Sequence, residues 1–222
     1  MKTASADPPP RRGGRPSRAR AGQLRDRIVD SAAHLFLTQG YGATSVEAVA
    51  KRAGVSKRTF YHRFADKAEL FGAVVQRLIA SLRPANAVPL FTGGTLEEIL
   101  QRLGKVILRA ALTPEALALH RLMVSEAVRF PELGIIMDTE GSRREAVKHI
   151  AALLAQQPRP GNLMPDAALF AAEQFLQMMV SLPQRRALGL GTPMNPARLD
   201  AWVADTVRFF LDGYHGGLPR QA

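Results

Sequence analysis

Residues 49–61 contain two short helical segments separated by a tight turn, and their sequence is Val49-Ala50-Lys51-Arg52-Ala53-Gly54-Val55-Ser56-Lys57-Arg58-Thr59-Phe60-Tyr61. Gly54 supplies a backbone conformation that is costly for other residues, and Ser56 is a favoured cap for the helix that follows. Two short helices joined in this way have the proportions of a helix-turn-helix. Short helix pairs are common in all-α proteins, so the spacing alone leaves a purely structural pair as an alternative.

The second of these helices, predicted from Lys57 to about Arg63, is rich in hydrogen-bond donors. Phe60 and Phe64 are expected to point inward. The remaining side chains suit guanine edges and phosphates, on an element of the right width for a major groove: Lys57, Arg58, Thr59, Tyr61, His62 and Arg63. This composition favours DNA binding over a structural helix pair.

Positive charge is concentrated in the same part of the chain. Of the 222 residues, Met1 to Ala65 include 13 Lys and Arg against 4 Asp and Glu, whereas Asp66 to Ala222 include 17 against 15. A local basic field favours phosphate polyanions, because each neutralised phosphate releases condensed counterions. On charge alone a basic solubilising tail is equally possible, and the donor-rich helix favours DNA.

The predicted fold is all-α. Apolar residues recur with a 3.6-residue period from about Gln23 to the C-terminus, and no period-2 segment is long enough to indicate a sheet. Residues 1–21, which are rich in Pro and Arg, are predicted to be a disordered basic arm. Residues 22–82 are predicted to form a three-helix helix-turn-helix domain, and residues 83–222 a C-terminal helical domain.

Several helix boundaries follow from capping signals. Thr44 is predicted to cap the second helix, with Glu47 reaching back as its capping-box partner. A second capping box is predicted at residues 95–98, and Pro114 is expected to start a helix. Pro131 is expected to mark the end of that helix, and one charged amphipathic helix is predicted from Asp138 to about Gln157.

Other classes of protein have little support in the sequence. The chain has no cysteine, so disulfides and thiolate sites are excluded. No stretch approaches the roughly 18 apolar residues of a membrane span, and the polar N-terminus does not indicate a secretory signal. The five histidines are scattered, and no phosphate-binding glycine loop or nucleophile elbow is present. We therefore expect a cytoplasmic protein that is not an enzyme and that has no metal, cofactor or membrane partner.

Residues 23–82 resemble the DNA-binding domain of the TetR-type (TetR/AcrR) family of transcriptional regulators. The matching stretches are Ile28-Val29-Asp30-Ser31-Ala32-Ala33-His34-Leu35-Phe36, Gly40-Tyr41-Gly42-Ala43-Thr44-Ser45-Val46, residues 49–61 and Phe64-Ala65-Asp66-Lys67-Ala68-Glu69-Leu70-Phe71. This match of some 50 positions is far more specific than any short motif. The rest of the chain follows by architecture, since family members carry a variable all-α ligand and dimerisation domain.

The resemblance implies roles at matching positions. It implies phosphate contacts for Thr44 and Lys67, contacts with the groove for Lys57, Arg58 and His62, and contacts with the DNA backbone for Thr59 and Tyr61. Ser45, Ser56 and Arg63 complete the predicted DNA-binding set on these helices. Arg58 and Arg63 depart from the usual family pattern, and we expect altered base preference there. The alternative is that both are solvated surface charges.

Arg15 belongs to a separate candidate contact within the arm. Gly14-Arg15-Pro16 resembles a minor-groove hook, in which an extended Arg lies in the narrow groove of A·T-rich DNA. A non-specific electrostatic arm is the alternative.

The C-terminal domain is predicted to provide dimerisation and sensing. The family packs its last two long helices against those of a second copy, which predicts an interface through Phe170, Leu176, Val180, Trp202 and Phe210. A fully internal helix would show the same excess of apolar residues.

Residues 120–133 resemble the C-terminal region of a TetR subgroup often linked to efflux and stress regulation. A pocket for an unknown small-molecule effector is predicted to be lined by His120, Met123, Met178 and Met179, because flexible thioethers suit irregular apolar ligands. The alternative is that these residues are simply core. Glu126 and Arg129 are expected to pair on the helix surface.

The sequence thus predicts a ligand-released repressor that binds a palindromic operator in double-stranded DNA as a homodimer. Two alternatives remain at this point. One is an architectural DNA-binding protein without ligand control, and the other is a transcriptional activator.

Overall fold

The computed structural model describes residues 18–82, 90, 93–141, 143–156 and 165–215. Within these ranges the chain is all-α, as predicted, and forms ten helices. They are α1 (Arg18–Gln39), α2 (Val46–Ala53), α3 (Lys57–Tyr61), α4 (Lys67–Leu82), α5 (Leu96–Ala111), α6 (Pro114–Glu126), α7 (Pro131–Glu140), α8 (Arg143–Ala155), α9 (Pro165–Ala187) and α10 (Pro196–His215). None of the helices in the described ranges has the length and apolar character needed to cross a membrane.

Two predicted boundaries near the N-terminus are wrong. α1 begins at Arg18, so its first turn lies inside the arm predicted for residues 1–21. The cap of α2 is Ser45, whose hydroxyl accepts a hydrogen bond from the Ala48 backbone N–H at 3.1 Å. Thr44 is one residue too early to reach that N–H. The predicted minor-groove residue Arg15 lies outside the described residues.

The single helix predicted from Asp138 to Gln157 is also wrong. Pro131 starts α7, which runs to Glu140, and α8 begins at Arg143. Gly141 lies between them with an extended backbone (φ −70°, ψ 149°) that ends α7. The polar residues around this break fit the exposed face of a helix, so periodicity alone did not reveal it. The capping box of α5 (Thr95 with Glu98) and Pro114 at the start of α6 are confirmed.

The helices bury their apolar faces in two cores. The first core is built by α1 to α4 and is completed by Leu119 and Leu122 of α6 and Leu133 of α7. The second core is built by α5, α8, α9 and α10 around Phe175 and Met179. The apolar faces of α6 and α7 therefore pack on the N-terminal helices, although both helices lie in the predicted C-terminal domain of residues 83–222.

A proline inside α9 is compensated by a side chain from α10. Pro183 has no backbone N–H, so it cannot donate the helical bond to the carbonyl of Met179. The indole Nε1–H of Trp202 donates to that carbonyl oxygen at 2.9 Å. The only tryptophan of the chain thus satisfies a backbone acceptor that would otherwise be left without a partner in the interior.

This arrangement predicts an energetic coupling between Trp202 and Pro183. Trp202→Phe should lower the free energy of unfolding by about 1–3 kcal/mol, because it leaves the Met179 carbonyl unsatisfied. In the Pro183→Ala background the cost should be smaller by about 1 kcal/mol, since residue 183 then donates to Met179 itself. Urea unfolding of the four proteins in the cycle measures both values. An equal cost in the two backgrounds would show that the tryptophan acts only through packing.

Candidate DNA interface

The turn between α2 and α3 is set by local hydrogen bonds. Gly54 adopts a left-handed conformation (φ 67°, ψ 38°), and its N–H donates to the Lys51 carbonyl at 3.2 Å. Val55 then donates to the Ala50 carbonyl at 3.0 Å, which closes the end of α2. Ser56 caps α3 by accepting from the Thr59 N–H at 3.1 Å. These bonds fix the direction in which α3 leaves α2.

Phe60 and Phe64 anchor α3 in the first core, and both are fully buried as predicted. Their rings lie 5.8 Å apart between centroids. On the opposite side of the short helix, Lys57, Arg58 and His62 are exposed. Tyr61 is 54% exposed and packs its ring edge-on against Phe60 at 5.3 Å. The structure thus brings four predicted DNA-binding side chains onto one accessible surface, which we call the α3 face (Lys57, Arg58, Tyr61 and His62).

Lys57 has an ion-pair partner that the sequence analysis did not predict. Its Nζ forms an ion pair with Glu47 of α2. The hydrogen bond between them lowers the pKa of Glu47 and raises the pKa of Lys57. Glu47 was expected to form a capping box with Thr44, but Ser45 caps α2 instead. A phosphate would therefore have to compete with Glu47 for the Lys57 ammonium.

Ser45, Ser56 and Thr59 are occupied by local bonds. The hydroxyls of Ser45 and Ser56 accept the capping bonds at the starts of α2 and α3. The Ser56 and Thr59 hydroxyl oxygens lie 2.9 Å apart and share a hydrogen bond. Arg63 is half-buried, unlike Arg58.

The structure does not support the predicted phosphate contact of Thr44. Its side chain is only 1% exposed, and its hydroxyl donates to the Gly40 carbonyl at 2.7 Å. This bond closes the turn between α1 and α2, which we call the α1–α2 turn (residues 40–44). Thr44 therefore acts inside the fold, and the sequence pattern did not distinguish a buried hydroxyl from an exposed one.

Lys67 is likewise turned inward instead of toward solvent phosphate. Its Nζ donates to the carbonyls of Tyr41 and Thr44 at 2.9 and 3.2 Å. The same ammonium lies 4.2 Å from the centroid of the Tyr41 ring and 5.6 Å from that of Phe130. Burial lowers the pKa of Lys67, opposed by the charges of Glu126 and Glu132. Lys67 is thus a tether between α4 and the α1–α2 turn.

Glu126, the last residue of α6, and Phe130, which follows that helix, complete this tether. The Gly42 N–H donates to Glu126 Oε2 at 2.5 Å. A Cβ atom at residue 42 would lie 2.9 Å from Phe130 Cε2, so the close approach requires glycine. Burial, followed by the charge of Glu132, raises the pKa of Tyr41 to about 12, so its phenol stays protonated near neutral pH.

The sequence analysis missed the role of Glu126, because its bond to Gly42 spans 84 residues of chain. The expected Glu126–Arg129 pair does not form, and the Arg129 guanidinium instead lies 5.3 Å from the Phe130 ring centroid. Arg25 was also missed. Its guanidinium lies 5.3 Å from the Phe64 ring centroid, beside the end of α3.

The four residues predicted to line a ligand pocket are not brought together. Met123 packs against the first core, whereas Met178 and Met179 pack in the second. Met179 is fully buried and lies against Gly104, where a Cβ atom would be 2.7 Å from its Cε. His120 is half-buried on α6. For the methionines, the alternative of core packing matches their placement.

The predicted interface residues also divide into two groups. Leu176 and Phe210 are buried inside one chain, and Phe210 packs on Phe175 at 5.1 Å between ring centroids. Trp202 is engaged with Met179, and Val180 is partly buried against the second core. Phe170 is 52% exposed. Phe209 of α10, which the prediction passed over in favour of its neighbour, is 72% exposed.

Comparison with known proteins agrees with this architecture. Residues 28–74 match the model described as bacterial regulatory proteins of the tetR family. Residues 98–216 match the C-terminal domain of AefR-like transcriptional repressors.

One curated relative is the transcriptional activator FasR of Mycolicibacterium smegmatis, 42% identical over 73 residues, which are 32% of each chain. The chain therefore aligns with about a third of that relative. A crystal structure of a TetR-family regulator from Mesorhizobium loti superposes with a TM-score of 0.67 at 27% identity, over 87% of this chain and 98% of that one. The flavonoid-responsive regulator FrrA superposes with a TM-score of 0.66 at 27% identity, over 86% and 97% of the two chains.

An N-terminal helix-turn-helix, a C-terminal helical domain and these matches lead to one conclusion: the chain belongs to the TetR family of DNA-binding transcription regulators, with a C-terminal domain of the AefR-like type.

Proposed function

We propose that the protein is a ligand-released repressor that binds a palindromic operator as a homodimer. The observation that carries the proposal is the α3 face, where cationic and aromatic side chains are exposed opposite the fully buried Phe60. Arg58 and His62 are placed to contact base edges, with Arg58 suited to guanine. Tyr61 is placed to contact phosphate, which would set the register of the helix in the groove.

Two copies are needed because one such helix contacts few base pairs. Phe170 of α9 and Phe209 of α10 are large apolar side chains left exposed on the last two helices. A second copy related by a two-fold axis would bury both and place two α3 faces on successive turns of one side of the duplex.

Repression and release are supported by the comparisons and by one set of contacts. The C-terminal match is described as a repressor domain, and FrrA is described as flavonoid-responsive. In this chain, Glu126 and Phe130 at the end of α6 hold the α1–α2 turn. A ligand that shifts α6 would therefore shift the turn that leads into α2 and α3.

Activation is a second candidate, favoured by the description of FasR as an activator. The 73 aligned residues are about a third of FasR. The similarity can therefore reflect shared DNA recognition without a shared direction of regulation. The two modes are separated by placing the selected operator over or upstream of a promoter and measuring transcription with purified polymerase.

The function is tested by selecting bound sequences from a random DNA pool with full-length protein. A motif with two inverted half-sites supports a dimeric, sequence-specific regulator. Enrichment of A·T-rich DNA without a palindrome contradicts it and supports an architectural protein.

Tyr61→Ala should weaken binding to the selected operator by about tenfold or more without unfolding the protein, because the side chain is exposed and its neighbour Phe60 keeps its buried position. Fluorescence anisotropy measures the affinity, and circular dichroism measures the melting temperature. Ile135→Ala, an equally exposed apolar truncation on α7, is the control and should leave the affinity unchanged. Wild-type affinity in the Tyr61 variant would remove Tyr61 from the interface.

Lys67→Met tests whether this lysine is a tether or a phosphate contact. Loss of a tether should lower the melting temperature and weaken operator binding while the slope of log affinity against log salt stays the same. Loss of a phosphate contact should reduce that slope by about 1 with little change in melting temperature. Anisotropy titrations at several salt concentrations distinguish the two, and a reduced slope would contradict the inward role.

Phe209→Asp should convert the protein to monomers and abolish binding to the full palindrome, because it places a charge where the proposed interface is apolar. Analytical ultracentrifugation measures the mass. Val128→Asp, at a residue 94% exposed in the turn between α6 and α7, is the control and should remain dimeric. A dimeric Phe209 variant would exclude this surface as the interface.

A further inference from the structure

α1 and α6 enclose an open cleft with a volume of 360 Å³, beside the α1–α2 turn. Phe36 and Leu37 of α1 and Ala118 and Leu122 of α6 form its apolar surface. The polar side chains at its edge include Arg121 and Glu126. The volume lies at the lower end of the range for small-molecule sites, and four apolar and four polar side chains line the cleft.

We propose that this cleft binds a small hydroxylated carboxylic acid, with the carboxylate on Arg121, the ring or chain on Phe36 and Leu122, and the hydroxyl donating to Glu126. No residue predicted from the sequence to line a ligand pocket is among those that line this cleft.

The positive charge of Arg121 is the reason to expect a carboxylate on the ligand. Arg121 is exposed, and among the described residues no carboxylate lies within 4.0 Å of its guanidinium. A guanidinium binds a carboxylate through two parallel hydrogen bonds, which gives both strength and orientation. Ala118, Arg121 and Leu122 lie on the same face of α6, so an acid held by Arg121 rests its apolar part against that face.

The hydroxyl end follows from Glu126. Its carboxylate accepts from the Gly42 N–H through Oε2 and retains further lone pairs for a second donor. Arg121 and Glu126 both line the cleft but lie five residues apart on α6, about 7.5 Å along its axis and roughly 140° around it. A rigid ring that carries its acid and its hydroxyl at opposite ends is therefore the simplest ligand that can contact both.

Occupation of the cleft bears on the α1–α2 turn. The Glu126 carboxylate that would accept from the ligand hydroxyl is the same group that accepts from the Gly42 N–H, and Gly40 of the turn itself lines the cleft. Binding should therefore loosen the hold of α6 on the helix-turn-helix and weaken operator binding. This consequence rests on the proposed function, whereas ligand binding itself does not.

The experiment is calorimetric titration of the full-length protein with 4-hydroxybenzoate. Benzoate lacks the hydroxyl and 4-hydroxybenzamide lacks the charge, so both should bind more weakly. Arg121→Gln should weaken binding of 4-hydroxybenzoate by about tenfold, and Ala118→Trp should abolish it by filling the cleft. Arg129→Gln, outside the cleft on the same side of the molecule, is the control and should bind like the wild type.

Absence of saturable binding by the wild-type protein would overturn the proposal, and so would binding that Arg121→Gln leaves unchanged. If Ala118→Trp fails to fold, the comparison of Arg121→Gln with the wild type still decides the question. Anisotropy with operator DNA then tests the coupling, and binding that leaves operator affinity unchanged would refute the coupling while the site stands. Failure of the palindrome selection would contradict the proposed function without bearing on the titration.

Discussion

The ammonium group of Lys67 is the point at which the two halves of this protein meet. It donates to two carbonyls of the α1–α2 turn and lies against the rings of Tyr41 and Phe130, which are 89 positions apart in the chain. Because α2 follows this turn directly, its position sets that of α2 and, through the Gly54 turn, that of α3. The placement of the α3 face therefore depends on a partly buried cation that is not part of that face. The cost of burying that charge is offset by two hydrogen bonds and by two cation–π contacts.

The division of the molecule into two cores bears on how the proposed ligand would affect the helix-turn-helix through α6. α6 and α7 lie among the C-terminal helices in sequence, but their apolar residues complete the N-terminal core. A displacement of α6 would therefore reach the helix-turn-helix domain, since Leu122 packs in the first core and Glu126, one turn further along the same face, accepts from Gly42. The second core is a separate packing unit built around Phe175 and Met179. In the proposed dimer, its long helices would contact the second copy without involving that contact.

The hairpin of α9 and α10 shows how a local defect is tolerated. Pro183 removes a helical hydrogen bond in the part of α9 that packs on α10. Trp202 supplies the missing donor from the neighbouring helix, so α9 continues to Ala187. The hydrogen bond from Trp202 also fixes the position of α10 along α9, because a hydrogen bond is directional and apolar contacts are not.

Local signals were enough for much of this protein. The all-α class, the Gly54 turn, the Ser56 cap, the capping box of α5 and the inward positions of Phe60 and Phe64 all follow from residues within a few positions of one another. The same is true of the exposed donors on α3, since a short helix with one buried face must expose the other. These features depend on backbone geometry and on periodicity, which a sequence displays directly.

Tertiary structure decided the features that depend on distant partners. Lys67 looks like a surface donor in the sequence, and the rings of Tyr41 and Phe130 surround its ammonium group in the fold. Thr44 also looks like a surface donor, but it is buried and its hydroxyl donates to the Gly40 carbonyl. Glu126 looks like an ordinary surface residue in the sequence, and its bond to Gly42, 84 positions away, forms only in the folded chain. By composition Met179 fits both a ligand pocket and a core, and Phe210 fits both an interface and a core; the fold placed both residues in the core. Burial is a property of all the elements that surround a side chain, so no periodicity within one helix could determine it.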